Sequence, residues 1–206
     1  MSKIKASRLP AIAAVVISVS ASLLFPTSAK QSGRGYFAAI DSDPPPVVGQ
    51  DYYIRHCLKC QRGVHETTNY WVGKLVPINT RVKLVSEAGR KLVLRIEPAG
   101  DEITVVNVEK YSRKDLNTIA RELLTRTPVA LDQFGTQAAS MILRGQPAIG
   151  MTKEQVVMAR GYPPGHRTPS LQSDIWVYWD TRMMISTCAF DNGVLTGGVK
   201  LPRLNP

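Results

Sequence analysis

The stretch that most limits what this chain can become is residues 149–164, IGMTKEQVVMARGYPP, because it carries its own start and stop signals. Thr152 with Gln155 three positions on has the spacing of a capping box. In that motif the hydroxyl satisfies an orphan N–H of the first turn and the amide reaches back. Met151 and Val156 are placed to close over the cap as a hydrophobic staple. Val156, Val157, Ala159 and Arg160 then predict a short helix with a narrow apolar face. Gly161 offers the left-handed position after the last turn, and Pro163-Pro164 forbid continuation. A helix of two to three turns is too short to stand alone, so the neighbouring segments must bury it.

Those neighbours read as strands. Residues 174–180, DIWVYWD, alternate with period two, and Asp191-Asn192-Gly193 is a hairpin turn signal. Residues 183–190 and 194–200 are the second and third strands. Upstream, residues 131–144 carry Phe134, Ala138, Met141 and Ile142 at helical spacing, closed by Gly145 and Pro147. The matching residues Gly150-Met151-Thr152, Val156, Gly161, Pro163, Trp176, Tyr178, Phe190 and Gly193-Val194, in this order, resemble the SmpA/OmlA (BamE-like) family of bacterial outer-membrane assembly proteins. The resemblance covers residues 131–206 and implies two helices packed on a three-stranded antiparallel sheet. Val156, Trp176, Tyr178 and Phe190 are then its structural core.

The chain begins with Lys3, Lys5 and Arg8 before an apolar run over residues 12–25, and Thr27-Ser28-Ala29 follows as a small-residue site. Residues 1–29 thus read as a signal peptide, with an uncleaved anchor as the competing reading. Either way the expected location is the periplasm or cell envelope. No cysteine follows the apolar run to carry a diacylglycerol, a departure from the lipoproteins of the family. Residues 30–50, with Pro44-Pro45-Pro46, read as an extended linker. The net charge is +10, and losing three basic and no acidic residues with the leader leaves +7. A basic exported protein meets anionic lipid headgroups or cell-wall polymer, and nucleic acid is not expected as a partner.

Residues 51–111 contain candidate strands at 51–56, 68–73, 81–86, 91–97 and 102–108, separated by turn-rich pieces. Regular short strands predict a small β-barrel of SH3-like size. Within a connecting segment, 112–130, residues 112–126 predict a helix with Ser112 as its cap. Leu116, Ile119, Ala120, Leu123 and Leu124 form its apolar stripe. The fold class is therefore α+β, a β-rich module followed by a helix–sheet unit.

Few residues suggest chemistry. Cys57-Leu58-Lys59-Cys60 lacks the histidine of a haem site and the βαβ setting of a redox pair, and no second spaced pair completes a zinc site. A local disulfide between Cys57 and Cys60 is the expectation, with Cys188 a buried free thiol. His56, His65 and His166 read as exposed turn residues, and no catalytic constellation, metal site or cofactor is expected. The aromatic strand is the functional clue. Trp176 and Tyr178 share one face with Met184, Cys188 and Phe190, while Val177 and Trp179 lie on the other with Met183 and Ile185. A sheet apolar on both faces needs a cover for the second. Val177, Trp179, Arg182, Met183 and Ile185 are accordingly the candidate partner-binding residues, with the amino-terminal module as the competing cover. The expected function is a non-enzymatic envelope binding or scaffold protein assisting outer-membrane protein assembly. The alternatives are a secreted hydrolase inhibitor, which β-lactamase-inhibitor modules of similar architecture suggest, and a redox enzyme, which rests on the Cys57–Cys60 spacing alone.

Overall fold

The computed structural model describes residues 34–198 and 201–204; the leader and its cleavage site lie outside the described residues. The architecture is mixed α+β, built on a curled half-barrel of β-sheet with a few helices. In chain order the elements are α1 (Arg34–Ser42), β1 (Asp51–Ile54), β2 (Leu58–Cys60), β3 (Val64–Glu66), β4 (Lys74–Val76), β5 (Arg81–Ala88), β6 (Lys91–Ile96) and β7 (Glu102–Val106). There follow α2 (Glu109–Ser112), α3 (Leu116–Leu123), β8 (Leu124–Thr125), a 3-10 turn at Asp132–Phe134, α4 (Thr136–Leu143), α5 (Lys153–Arg160), β9 (Ile175–Trp179), β10 (Ile185–Asp191) and β11 (Val194–Gly198).

The half-barrel is a six-stranded sheet in the order β3-β7-β6-β5-β1-β8, with β2 and β4 paired beside it. Period-two alternation along these strands is the cause: Val82, Leu84, Leu92, Leu94 and Val105 are all fully buried on its inner face. α3 closes that face with Ile119, Ala120 and Leu123. Its start differs from expectation. Ser112 ends α2 and is buried, Arg113 takes a left-handed conformation that breaks the chain direction, and Asp115 caps α3 by accepting from the Thr118 N–H at 2.7 Å. Leu124 leaves the helix and pairs with Ile54. Residues 68–73 form no strand; the short β3 before them runs parallel to β7 instead.

The second layer follows the local signals closely. Thr152 and Gln155 form the full capping box, and Met151 and Val156 are both completely buried. The expected narrow apolar face is wrong in one respect: every side chain from Glu154 to Arg160 is buried, so α5 is a central helix. Gly161 has φ +78 and ψ −177, a positive-φ conformation that favours glycine but lies outside the left-handed helical region expected of the cap. α4 starts only at Thr136, because the 3-10 turn and Gly135 at φ +77 interrupt the longer helix expected over 131–144. β9, β10 and β11 form an antiparallel sheet in the order β11-β10-β9. Trp176, Tyr178, Cys188, Phe190 and Leu195 face the helices as a second core.

This second core is not the property of the last third alone. Cys57 and Ile78, from the half-barrel segment, are buried within it, and Trp71 and Leu75 pack against it. α1 also docks here. The Tyr36 N–H donates to Glu154 Oε1 at 2.9 Å, the Tyr36 hydroxyl donates to the Arg55 carbonyl at 3.0 Å, and Ile40 is buried. Residues 34–42 are therefore structural rather than a linker; 44–47 stay irregular.

Candidate functional site

The residues singled out on the aromatic strand separate into two groups. Val177 and Trp179 are half-buried. Trp179 stacks on Tyr70 with ring centroids 5.8 Å apart, and Tyr111 and His166 close on it at 5.5 and 5.3 Å. This aromatic cluster draws Tyr70 and Tyr111 from the β-rich segment 51–111, so Trp179 serves an intramolecular interface. Arg182, Met183 and Ile185 are exposed, Met183 by 89%. Met184, expected inside with Cys188, is exposed by 58%, because the strand begins only at Ile185 and Met184 belongs to the turn.

The turn is tied down despite its exposure. The Thr181 hydroxyl accepts from the N–H groups of Met183 and Met184 at 3.2 and 3.1 Å, and the Asp180 N–H donates to the Met184 carbonyl at 2.9 Å. Three consecutive exposed apolar side chains, Met183, Met184 and Ile185, are thus presented on a fixed loop, with Ile175 exposed by 60% on the same sheet face. The turn borders a groove of about 390 Å³ near Lys59, Tyr70 and Arg182, and another of about 560 Å³ near Trp71, Tyr178 and Asp180. Both volumes fall in the range of small-ligand and peptide-side-chain pockets.

The floor beside the second groove is polar and well anchored. Arg160, 4% exposed, lies over the Trp71 ring at 4.1 Å, and its Nη2 donates to Asp180 Oδ1 at 2.8 Å. Ser186 Oγ donates to the same oxygen at 3.0 Å. The Tyr178 hydroxyl donates to the Gly161 carbonyl at 2.9 Å, and burial raises its phenol well above the ordinary range.

The cysteines contradict the expected disulfide: Cys57, Cys60 and Cys188 are all free and buried. The reason is geometric. Cys57 packs in the second core, whereas Cys60 packs in the half-barrel core. Three positions apart on an extended chain, the two side chains leave on opposite sides. The Cys57 thiol donates to the Ile142 carbonyl at 3.1 Å and accepts from the Ile78 N–H at 3.3 Å. Burial pushes all three thiols up to about 11, which leaves little thiolate for redox chemistry at neutral pH. Alkylation of the denatured, unreduced protein is expected to label three thiols. Labelling of one alone would show the Cys57–Cys60 bond after all.

A second location was not legible as a site. His56 and His65 are buried, 7% and 6% exposed, contrary to the reading of exposed turns. Together with Asn69, Lys114, Glu122 and Tyr162 they line a small cavity of about 40 Å³. His56 Nδ1 lies 3.0 Å from the Cys57 carbonyl and His65 Nδ1 3.0 Å from the Lys59 carbonyl. Burial is the leading cause that lowers both imidazoles to about 4, partly opposed by those carbonyls. Lys114 Nζ donates to both Glu122 oxygens at 2.6 and 2.8 Å and sits 4.1 Å above the Tyr162 ring. Gly161 passes so close that a Cβ there would lie 2.8 Å from Asn69 Nδ2 and 3.1 Å from His56 Nδ1. The alternation of β3 was the available signal, since Val64 and Glu66 point out and His65 therefore points in. No three His, Cys, Asp or Glu side chains among the described residues cluster so as to hold a metal ion. No described helix is long and apolar enough to cross a membrane. Neither a family model, a curated protein nor a solved structure matches this chain.

Proposed function

We propose that this chain is an exported binding protein of a bacterial envelope, without enzymatic activity, that docks a partner protein through the β9–β10 hairpin. The observation that carries the reading is the fixed turn that holds Met183, Met184 and Ile185 out of the fold. Flexible, polarisable methionines adapt to a partner surface at little cost, and contiguous exposed apolar side chains mark interaction sites. Arg182 beside them suits a polar rim. The docking set is accordingly Arg182, Met183, Met184, Ile185 and Ile175, without Trp179. The basic leader-like segment and the +10 charge support export to an envelope with anionic surfaces. The resemblance of residues 131–206 to the SmpA/OmlA (BamE-like) family supports a role in outer-membrane protein assembly.

A photo-cross-linking residue placed at Met183 in the native envelope tests this. The expected result is a discrete adduct with one envelope protein, and at least a tenfold loss of its yield when Met184→Asp and Ile185→Ser are introduced, with an unchanged melting temperature. Such a loss corresponds to about 1.4 kcal/mol or more of binding energy. Adducts to lipid alone would make the hairpin a membrane contact. Adducts unaffected by the two substitutions would place docking elsewhere.

A further inference from the structure

A groove of about 600 Å³ opens between β4, the β2–β3 turn and the turn that joins β6 to β7. Its floor belongs to the half-barrel core: Cys60, Val76 and Ile103 are buried there, and the half-buried Ile96 packs against that core. The lining has one hydroxyl, Thr80, which already donates to the Pro77 carbonyl at 2.7 Å. No buried side-chain polar atom that lacks a partner among the described residues lies on this groove. The floor thus offers apolar contact and no hydrogen bond. A ligand rich in donors and acceptors would give up its hydration there without return, whereas a saturated chain gains by leaving water.

The rim is charged, and its charges are unequally committed. Lys74 and Asp101 face each other across the mouth at 4.0 Å, and Glu102 is held by Arg95 at 3.0 Å, so both carboxylates have a cation beside them. Arg62 also lines the groove and is exposed, and its guanidinium makes no ion pair or hydrogen bond among the described residues. Its position is unusual for an arginine. Gln61 and Val64 exchange backbone hydrogen bonds at 2.9 and 3.1 Å, so Arg62 and Gly63 are the two residues of a tight hairpin loop, with φ +53 and +76. Positive φ at both positions suits Asn, Asp or Gly, so the turn itself does not call for Arg62. What the side chain supplies is an uncommitted cation at the edge of an apolar floor. The volume lies in the range that encloses a small molecule. We propose that the groove binds a single-chain amphiphile with an anionic head, its alkyl chain along Val76, Ile96 and Ile103 and its head on the Arg62 guanidinium.

The test titrates the full exported chain at about pH 7 with dodecyl phosphate, decyl phosphate and the uncharged dodecyl maltoside, each below its micelle concentration. The expected result is one dodecyl phosphate per chain, bound about tenfold or more tightly than decyl phosphate, since each buried methylene is worth about fourfold. Arg62→Gly, which the turn accepts without strain, is expected to weaken dodecyl phosphate about fivefold or more. Dodecyl maltoside is expected to bind more weakly than dodecyl phosphate and to be indifferent to that substitution. The methyl resonances of Val76, Ile96 and Ile103 are expected to shift on binding, while those of Ile175 and Ile185 on the hairpin stay. No binding, equal binding of the two phosphates, or shifts confined to Ile175 and Ile185 would overturn the groove as the site. An unaltered affinity in Arg62→Gly, or equal binding of the maltoside, would overturn the place given to the head. None of these outcomes bears on partner docking at the hairpin, which shares no residue with the groove.

Discussion

Unfolding titrations are expected to show stability at a plateau above about pH 6.5 and falling steeply toward pH 4. His56 and His65 are held at about 4 in the folded protein, chiefly by burial. The unfolded chain takes up the same protons near 6.5, so the unfolded state binds more protons throughout that window. Stability is therefore fully present above the unfolded value, erodes as the pH falls, and levels off below the folded value. Each imidazole contributes about 3 kcal/mol at the limit. Two together approach a large part of the 5–15 kcal/mol that holds an ordinary domain. Urea denaturation at pH 7, 5.5 and 4.5 reads the effect. The double variant His56→Gln/His65→Gln is expected to flatten the slope, whereas an unaltered slope would show that these two imidazoles do not set it.

Trp176→Ala is the substitution expected to cost most, about 3–5 kcal/mol, because it empties the largest fully buried side chain of the second core. Trp176 packs on Phe190 at 4.7 Å between ring centroids, beneath a helix buried on all sides, so neighbours cannot collapse into the gap. Its indole N–H has no partner, so Trp176→Phe gives up area but no hydrogen bond and is expected to be much milder. Trp179→Ala is expected to cost about 2 kcal/mol through loss of the Tyr70 and Tyr111 contacts. Thermal or chemical denaturation of the three variants gives the order. Equal losses in Trp176→Phe and Trp176→Ala would mean that the ring shape, not its volume, is what the core requires.

What could be read without the structure was what is decided locally. The Thr152–Gln155 box, the strands that became β5, β6 and β7, the alternation of β9, and the inward pair Trp176 and Tyr178 all rest on neighbours within a few residues. The misreadings concern partners far along the chain. His56 and His65 look like loop residues until β7 and α3 wall them in, and Trp179 looks unpartnered until Tyr70 and Tyr111 arrive from more than sixty residues upstream. The separation of the two cysteines, by contrast, is written in their spacing. Cys57 and Cys60 differ by an odd number of positions, and an extended chain sends such a pair to opposite faces. The late start of α3 turned on Arg113 in a left-handed conformation, which a side chain of that type does not advertise.

The mixed parentage of the second core also bears on the order in which the chain becomes available to fold. Cys57, Trp71 and Ile78 emerge long before Trp176, Phe190 and Leu195, the side chains that enclose the same interior. A chain crossing a membrane from its amino terminus would spend that interval with half an interior in place and no lid over it. Loss of even the final strand would remove Leu195, together with the bond its N–H donates to the Met151 carbonyl at 2.7 Å. Early termination is therefore far more damaging here than in a chain of independently folding modules. A nascent product stopped before β11 presents sticky apolar surface laid down a hundred residues earlier, which makes it a natural client for holding factors and proteases.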